Sequence, residues 1–225
     1  MKQEKQKTYN DVCMDILHSL DLSQGKPSLF LHVCCGPCST YPLALLFPYF
    51  NITVGYINPN IYPEAEHTHR KNELERFVEG FNQEHHADIK VIAYPYDYKM
   101  YLNRIKGHEG DKEGGERCTL CHELRLSLSY KYAYDHHFDY FATVMTVSSK
   151  KPSALLNEIC FRLEKQYPST KYLPSDFRKK DGTLKGIMIA REYHLYRQDY
   201  CGCSFSLKAR KELEEAKKLN KELLG

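Results

Sequence analysis

The feature that most constrains the fold is an apolar run that ends in three cysteines. Residues 29–33 lead into Cys34-Cys35-Gly36-Pro37-Cys38, where the Gly-Pro pair forces a turn and a helix can begin. This pattern is typical of a buried strand in an open α/β sheet, and such sheets place their chemistry at the carboxyl ends of the strands. The sequence therefore predicts a reactive thiol site at one sheet edge.

Strand-like and helix-like segments alternate along the rest of the chain. Further strands are predicted at 52–57, 89–94 and 140–145, and helices at 8–20, 37–50, 64–85, 98–106, 118–136, 154–166, 187–197 and 208–224. This alternation predicts an α/β fold, with a mostly parallel sheet, helices on both faces and a single domain spanning 1–225. The loops after the first, second and fourth strands then share one edge.

Two helices carry apolar stripes that the spacing assigns to the core. The helix that begins at the CxxC motif is expected to bury Leu124, Leu128, Tyr132 and His136. The last helix is expected to bury Leu213, Ala216, Leu219 and Leu223. The segment 172–186 reads as irregular because it is rich in basic and turn residues.

Charge and hydropathy narrow the choice of compartment and partner. The 225-residue chain has a net charge of +3, and no apolar run reaches the ~18 residues of a membrane span. The N-terminus lacks a signal-peptide core, so we expect a cytoplasmic protein with no membrane partner. Between residues 150 and 185, nine Lys/Arg face four Asp/Glu, a local charge of +5 that indicates a polyanionic partner or a solvated face.

Seven of the nine cysteines fall in three tight groups, which indicates metal or redox chemistry in a cytosolic chain. Cys13 and Cys160 stand alone in helical patterns and are expected to be core residues. Besides the 34–38 group there is a CxxC pair, Cys118 and Cys121. Thiolates select zinc, copper or iron–sulfur centres. An adjacent cysteine pair suits the separate irons of a cluster better than one small ion, so the spacing favours Fe–S, and zinc stays open.

The third group, Cys201-Gly202-Cys203, differs from the others in its spacing. A disulfide between residues two apart closes a small strained ring, and strain makes a disulfide easier to reduce. The pair can serve as a redox-active dithiol. It can also chelate a second metal together with Cys38, or consist of two unrelated thiols in a turn.

Six separated motifs, in order, give the chain a resemblance to a known family. The sequence resembles the epoxyqueuosine reductase QueH family through LHVCCGPCS (31–39), YINPNIYPEAEHTHRKNE (56–73), GGERCTLCHELRL (114–126), TVSSKKPSALLNEI (146–159), YLPSDFRKKDG (172–182) and YCGCSFS (200–206). The resemblance implies a Rossmann-like, HUP-type sheet and a cobalamin-independent reduction of epoxyqueuosine in tRNA to queuosine, the last step of queuosine biosynthesis. It further implies an external electron donor.

The resemblance also implies roles for individual cysteines. Cys34, Cys35, Cys118 and Cys121 would hold a [4Fe-4S] cluster, and Cys201 and Cys203 would be the catalytic redox pair. A second, mononuclear iron would lie near Cys38, Cys201 and Cys203, with Cys38 as a possible ligand. The Gly-rich phosphate loop of related pyrophosphatases is replaced by the cysteine motif, so no ATP binding is expected.

Residues other than the cysteines are also assigned roles. Tyr56, Tyr62 and Phe177 are candidates for stacking on the substrate base. Ser148, Lys150, Lys151 and residues 178–180 are candidates for contacts with tRNA phosphates. His32 is expected to be a hydrogen-bonded core residue, His67 and His69 to be exposed, and Arg70 to pair with Glu73 on a helix surface. A tRNA sulfur transferase with a persulfide cysteine and a zinc-stabilised RNA-binding module remain the alternative functions.

Overall fold

A five-stranded parallel sheet organises residues 7–224, the part of the chain that the computed structural model describes. Its strands are β1 (Ser28–His32), β2 (Asn51–Tyr56), β3 (Lys90–Ala93), β4 (Tyr140–Thr143) and the short β5 (Lys171–Tyr172). They lie in the order β3-β2-β1-β4-β5, and every neighbouring pair is parallel. The predicted α/β, Rossmann-like class is confirmed, and β5 was missed because two residues carry no periodic signal.

Eight α-helices lie within residues 7–224; one precedes the first strand, and the others connect or follow the strands. They are α1 (Tyr9–Ser19), α2 (Gly36–Leu46), α3 (Glu64–His85), α4 (Tyr98–Arg104), α5 (Glu116–Asp135), α6 (Ser153–Gln166), α7 (Gly182–Glu192) and α8 (Ser204–Leu224). A 3-10 turn, Val144–Val147, continues directly from β4. Within the described residues, none of the helices is long and apolar enough to cross a membrane.

Alternating side chains of β1 pack into two separate hydrophobic cores, one on each face of the sheet. Leu29 and Leu31 pack with residues of α1, α2 and α3, whereas Phe30 packs with residues of α5 and α6. Successive strand residues point to opposite faces, so a strand covered on both faces is apolar throughout. The central position of β1 therefore buries Cys34 and Cys35, which follow it directly.

The helix expected at 187–197 lies earlier in the chain, at Gly182–Glu192. Gly182 and Gly186 read as turn signals in the sequence, but they allow close packing instead. A Cβ at Gly182 would lie 2.0 Å from the carbonyl oxygen of Phe177, and one at Gly186 would lie 3.3 Å from the hydroxyl of Thr40 in α2. Residues 193–203 consequently form a non-helical segment that runs into the CxC pair.

The buried face of α5 differs from the predicted stripe. Its buried residues are Arg117, Cys121, His122, Arg125, Leu126, Ser129, Tyr130 and Ala133, whereas His136 at the end of the helix is exposed. The inward face is rotated because it serves two environments. Leu126 and Tyr130 face the core of the sheet, and Cys121 and Arg125 face the thiol site. Apolar periodicity cannot reveal such a mixed face.

The apolar stripe of α8 is not buried against the rest of the chain. Leu213 and Leu219 are 57% and 58% exposed, and Ala216 is exposed as well. The prediction that this stripe packs in the core was therefore wrong for these three residues, and the side chain of Leu223 lies outside the described residues. That 1–225 constitute one domain remains a prediction.

Candidate metal centre and active site

Three thiols meet immediately after β1. The Sγ atoms of Cys34, Cys35 and Cys38 all lie within 4.8 Å of one another, and those of Cys34 and Cys35 are 3.8 Å apart. The sequence folds this way because β1 ends at His32 and α2 begins at Gly36, which places Cys38 in the first helical turn. Thiolates bound to one ion at ~2.3 Å lie about 3.8 Å apart in a tetrahedron, so the group could hold a metal.

The second group of thiols lies at the start of α5, outside this three-thiol set. Cys118 occupies the first turn of the helix, where its sulfur accepts a hydrogen bond from the Gly114 N–H at 3.2 Å. Cys121, one turn later, packs with Cys203 and Tyr101 in a small apolar cluster. The structure therefore brings the CxxC pair next to the CxC pair.

The CxC pair itself lies between a loop and the beginning of α8. Cys203 is buried beside Cys121, whereas Cys201 lines a cleft. Gly202 between them has φ +135°, a conformation that residues with a Cβ rarely adopt. The thiol of Cys203 thus lies in apolar surroundings, whereas that of Cys201 faces the open cleft.

A cleft of about 810 Å³ lies over the thiols. Its floor includes Cys34, Cys38 and Cys201, and its walls come from residues 147–151, from α7 and from the segment 194–201. Small and apolar residues of α7 form one wall: Thr183, Gly186, Ile187 and Ala190. The volume falls in the ~300–1,000 Å³ range typical of small-molecule sites, and the apolar wall offers a surface for a planar group.

Arg70 holds the CxC segment against α3. It is 2% exposed, and its guanidinium donates to the carboxylate of Glu66 at 2.7 Å and to the carbonyl oxygens of Tyr200 and Cys201 at 3.3 and 3.2 Å. The expected surface pair with Glu73 is wrong, since Glu73 binds Arg76 at 3.0 Å instead. Arg70 is a site residue that sequence reasoning missed.

Arg125 is a buried cation on α5, the helix that carries the CxxC pair. It is 2% exposed and donates to the amide oxygen of Asn58 at 2.7 Å, while its Nε has no partner. Burial works against its charge, but electrostatic interactions with Cys121, Cys34 and Cys201 outweigh burial and hold the pKa of Arg125 above the usual value. Its spacing from Cys121, four residues along one helix face, was the available sequence signal.

Lys151 is a second buried cation, and it lines the cleft. It is only 7% exposed, so the alternative of a solvated surface lysine is wrong, and contact with a tRNA phosphate stays a prediction. Burial works against its charge, but electrostatic interactions with Cys201, Cys34 and Cys38 outweigh burial and raise the pKa of Lys151. A sequence of two adjacent lysines gives no sign of which one turns inward.

The surroundings of the first thiol group favour one thiolate within it. Hydrogen bonds from Cys35 and Cys38 lower the pKa of Cys34, and the charges of Lys151 and Arg125 act in the same direction. The pKa of Cys38 is raised because it donates to both neighbours. Gln198 adds a hydrogen bond from its side-chain amide to the sulfur of Cys35 at 2.8 Å.

Several weaker assignments are corrected. Tyr56 and Phe177 are fully buried, so they are core residues, whereas Tyr62 remains 42% exposed. His67 is buried and packs against the rings of Tyr56 and Tyr96, while His69 is exposed as expected. The hydroxyl of Tyr56 in β2 donates to the backbone carbonyl of His67 in α3 at 2.9 Å, a contact between elements that local sequence does not report.

Two predictions about single residues hold. His32 is buried, with its Nδ1 2.9 Å from the hydroxyl of Thr143, as expected for a hydrogen-bonded core histidine. Cys13 and Cys160 are buried among apolar residues of the two cores. Burial raises the pKa of both thiols, so neither is a reactive thiolate.

Comparison with known proteins places this arrangement in a family. The family described as epoxyqueuosine reductase QueH matches residues 29–209, a range that includes the three-thiol group, the CxxC pair and the CxC pair. The chain belongs to the epoxyqueuosine reductase QueH family.

Individual relatives extend the match over nearly the whole chain. An epoxyqueuosine reductase QueH of Staphylococcus aureus is 38% identical over 98% of this chain and 92% of the relative. That of Streptococcus pyogenes is 36% identical over 92% of this chain and 81% of the relative. That of Haemophilus influenzae is 34% identical over 92% and 83%, respectively. Similarity of this extent covers the fold and the site together.

The donor set fits the iron–sulfur cofactor that the resemblance implies. All nine cysteines are free thiols, and those of the site lie near the first turns of α2, α5 and α8, where helix dipoles favour negative charge. Arg125 and Lys151 supply buried positive charge toward the same thiols. Soft anionic donors with nearby compensating cations suit a thiolate-bound metal centre.

Proposed function

We propose that this chain is an epoxyqueuosine reductase that converts epoxyqueuosine in tRNA to queuosine. The observation that carries the proposal is the family match over residues 29–209. The thiol-floored cleft supports it, because an oxidoreductase must bring its substrate to its redox groups. We further propose that the reaction takes place in the cytoplasm and uses an external electron donor.

For the cofactor, we propose that Cys34, Cys35, Cys118 and Cys121 hold one [4Fe-4S] cluster. The position of Arg125, whose charge faces both Cys34 and Cys121, supports a shared centre between the two groups. When bound, such a cluster supplies electrons one at a time. A second iron near Cys38, Cys201 and Cys203 is also part of the proposal, because Cys38 and Cys201 line the same cleft.

The CxC pair is proposed as the redox-active dithiol. Cys201 reaches the cleft while Cys203 is buried, so one thiol can meet the substrate and the other can complete a disulfide. Oxidation of two thiols to a disulfide releases two electrons and two protons. Removal of an epoxide oxygen to leave an alkene and water consumes the same number of each, so the two half-reactions balance.

In this proposal, residues that line the cleft bind and orient the substrate. The apolar wall of α7 receives the planar base, which must leave its stack to reach the thiols. Lys151, at the floor of the cleft, places a positive charge where the oxygen departs. Arg70 fixes the backbone of the CxC segment and so keeps Cys201 at the floor.

Binding of tRNA is proposed at the rim of the cleft. Lys150, Arg191 and Arg197 are exposed around it and can contact phosphates. Part of the basic segment 150–185 is otherwise engaged, since Arg178 binds Asp176 at 2.8 Å and Arg162 binds Glu123. The rim therefore extends beyond that segment to α7 and the residues after it.

The test is conversion of substrate by the anaerobically purified protein. Transfer RNA carrying epoxyqueuosine is incubated with the protein and a chemical reductant, then digested to nucleosides and analysed by mass spectrometry. We expect queuosine, the product that has lost one oxygen atom. Protein with intact metal that yields no queuosine would refute the activity. A colourless protein that contains zinc without sulfide would favour an RNA-binding module instead.

A further inference from the structure

Arg125 and Lys151 are buried cations without a carboxylate partner among residues 7–224. They are 2% and 7% exposed, and the salt bridges of the described chain include neither of them. By contrast, the buried Arg70 is paired with Glu66. Moving an isolated charge from water to a protein interior costs several kcal/mol, so a buried cation persists only where some other group supplies negative charge.

The acidic groups beside both cations are thiols: Arg125 lies four residues after Cys121 on α5, and Lys151 lines the cleft together with Cys34, Cys38 and Cys201. Cys121, Cys34 and Cys201 act on Arg125, and Cys201, Cys34 and Cys38 act on Lys151. Cys34 and Cys201 are therefore common to both cations. The remaining polar contact of Arg125 is the neutral amide of Asn58, and its Nε is unpaired. Because cysteine ligands are deprotonated when they bind a metal, these thiols become the counter-ions of both cations in the metal-loaded site.

We propose that Arg125 and Lys151 are the counter-cations of the thiolate site and set the reduction potential of the metal centre that it holds. A centre that gains an electron gains negative charge, and a fixed positive charge nearby stabilises the reduced form. Potentials of thiolate-bound iron–sulfur centres depend on net charge and solvent exposure, and charges interact strongly away from water. The inference rests on the proposed function only in requiring that the thiols hold a redox-active metal.

The two residues act through the metal site, so they are positioning residues in this role. Lys151 also lines the cleft, whereas Arg125 does not. A shift in potential on replacing Arg125 therefore reports its charge without any contribution from lost substrate contacts. This separates the electrostatic role from substrate binding.

The chain offers a matched control in the neighbouring lysine. Lys150 has the same charge, but its side chain is 66% exposed and lies 3.8 Å from the carboxylate of Glu113. Water and salt screen such a charge, so its removal leaves the potential nearly unchanged. Lys150→Met and Lys151→Met differ by one position and make the same chemical change.

The experiment is an anaerobic redox titration of the reconstituted full-length protein, followed by optical and electron paramagnetic resonance spectra without substrate. Lys151→Met and Arg125→Met should each lower the ratio of reduced to oxidised centre at the wild-type midpoint by tenfold or more. This corresponds to a shift of about 59 mV toward negative potential for a one-electron couple. Lys151→Arg, Arg125→Lys and Lys150→Met should titrate close to wild type.

The possible outcomes separate this inference from the proposed function. A wild-type protein that titrates normally, with Lys151→Met and Arg125→Met at the same potential, would overturn the inference alone. A wild-type protein with no redox-active metal would overturn both. If the methionine variants lose their metal while Lys151→Arg and Arg125→Lys retain it, the requirement for charge is supported. Loss of metal in both sets would show that shape matters instead, which would overturn the inference.

Discussion

Replacing Arg70 tests whether the CxC segment is held by the contacts described above. Arg70→Met removes the ion pair with Glu66 and the hydrogen bonds to the carbonyl oxygens of Tyr200 and Cys201. Breaking one partner of a buried ion pair costs about 3–5 kcal/mol, because the other charge is left without compensation. Glu66 has a side chain that is 15% exposed, so we expect a loss near the lower end of that range.

Arg70→Lys separates charge from geometry. Lysine keeps the positive charge but lacks the planar fork that reaches a carboxylate and two carbonyl groups together. A hydrogen bond to a charged group is worth about 1.5–3 kcal/mol, and the two bonds to carbonyl oxygens, at 3.2 and 3.3 Å, are long. We therefore expect a loss of about 2–3 kcal/mol in the lysine variant, smaller than in the methionine variant.

The assay is urea unfolding of the reduced, metal-free protein, with turnover measured separately on the metal-loaded form. Arg104→Met is the control, since its side chain is 43% exposed and its pair with Glu123 is worth at most about 1 kcal/mol. Turnover should fall in both Arg70 variants as the backbone of Cys201 loosens. Stability of Arg70→Met within about 1 kcal/mol of wild type would refute the reasoning.

Three further predictions concern the same edge of the sheet. Gly202→Ala should lower the free energy of unfolding by about 1–3 kcal/mol, because φ is +135° and a Cβ would lie 3.2 Å from Ile61; a urea midpoint equal to wild type would contradict this. Cys203→Ser should keep iron and fold but lose turnover, measured anaerobically on epoxyqueuosine tRNA, and near-normal turnover with full iron would exclude a catalytic role. Affinity for tRNA should fall steeply as the salt concentration rises. Lys150→Ala or Arg197→Ala should each reduce the slope of log affinity against log salt concentration by about one. Affinity that does not change with salt would exclude the rim of the cleft as the tRNA-binding surface.

The sheet and its reactive edge could be predicted because they depend on local patterns. The apolar run before Cys34 indicates a strand that is buried on both faces. Gly36-Pro37 indicates the turn that places the thiols at the edge of the sheet. Helix α3 begins and ends at the residues that periodicity predicts. In these segments, propensity, periodicity and tertiary packing favour the same conformation.

The charged part of the site could not be predicted, because its residues depend on tertiary contacts. Arg70 reads as a surface residue on a polar helix, yet the chain more than a hundred residues later covers it. Lys151 reads like Lys150, and only the position of the thiols distinguishes them. Gly186 reads as a loop residue, although its role is the approach of α7 to α2. Contacts distant in sequence decide each case.

The most direct test of the account is anaerobic iron and acid-labile sulfide analysis of the wild-type chain, with an electron paramagnetic resonance spectrum after reduction. The account predicts one [4Fe-4S] cluster per chain, which Cys35→Ser and Cys121→Ser each largely remove. A single ion without sulfide, retained when Cys121 is replaced and lost when Cys35 is replaced, would contradict it and leave only the three-thiol group as the metal site.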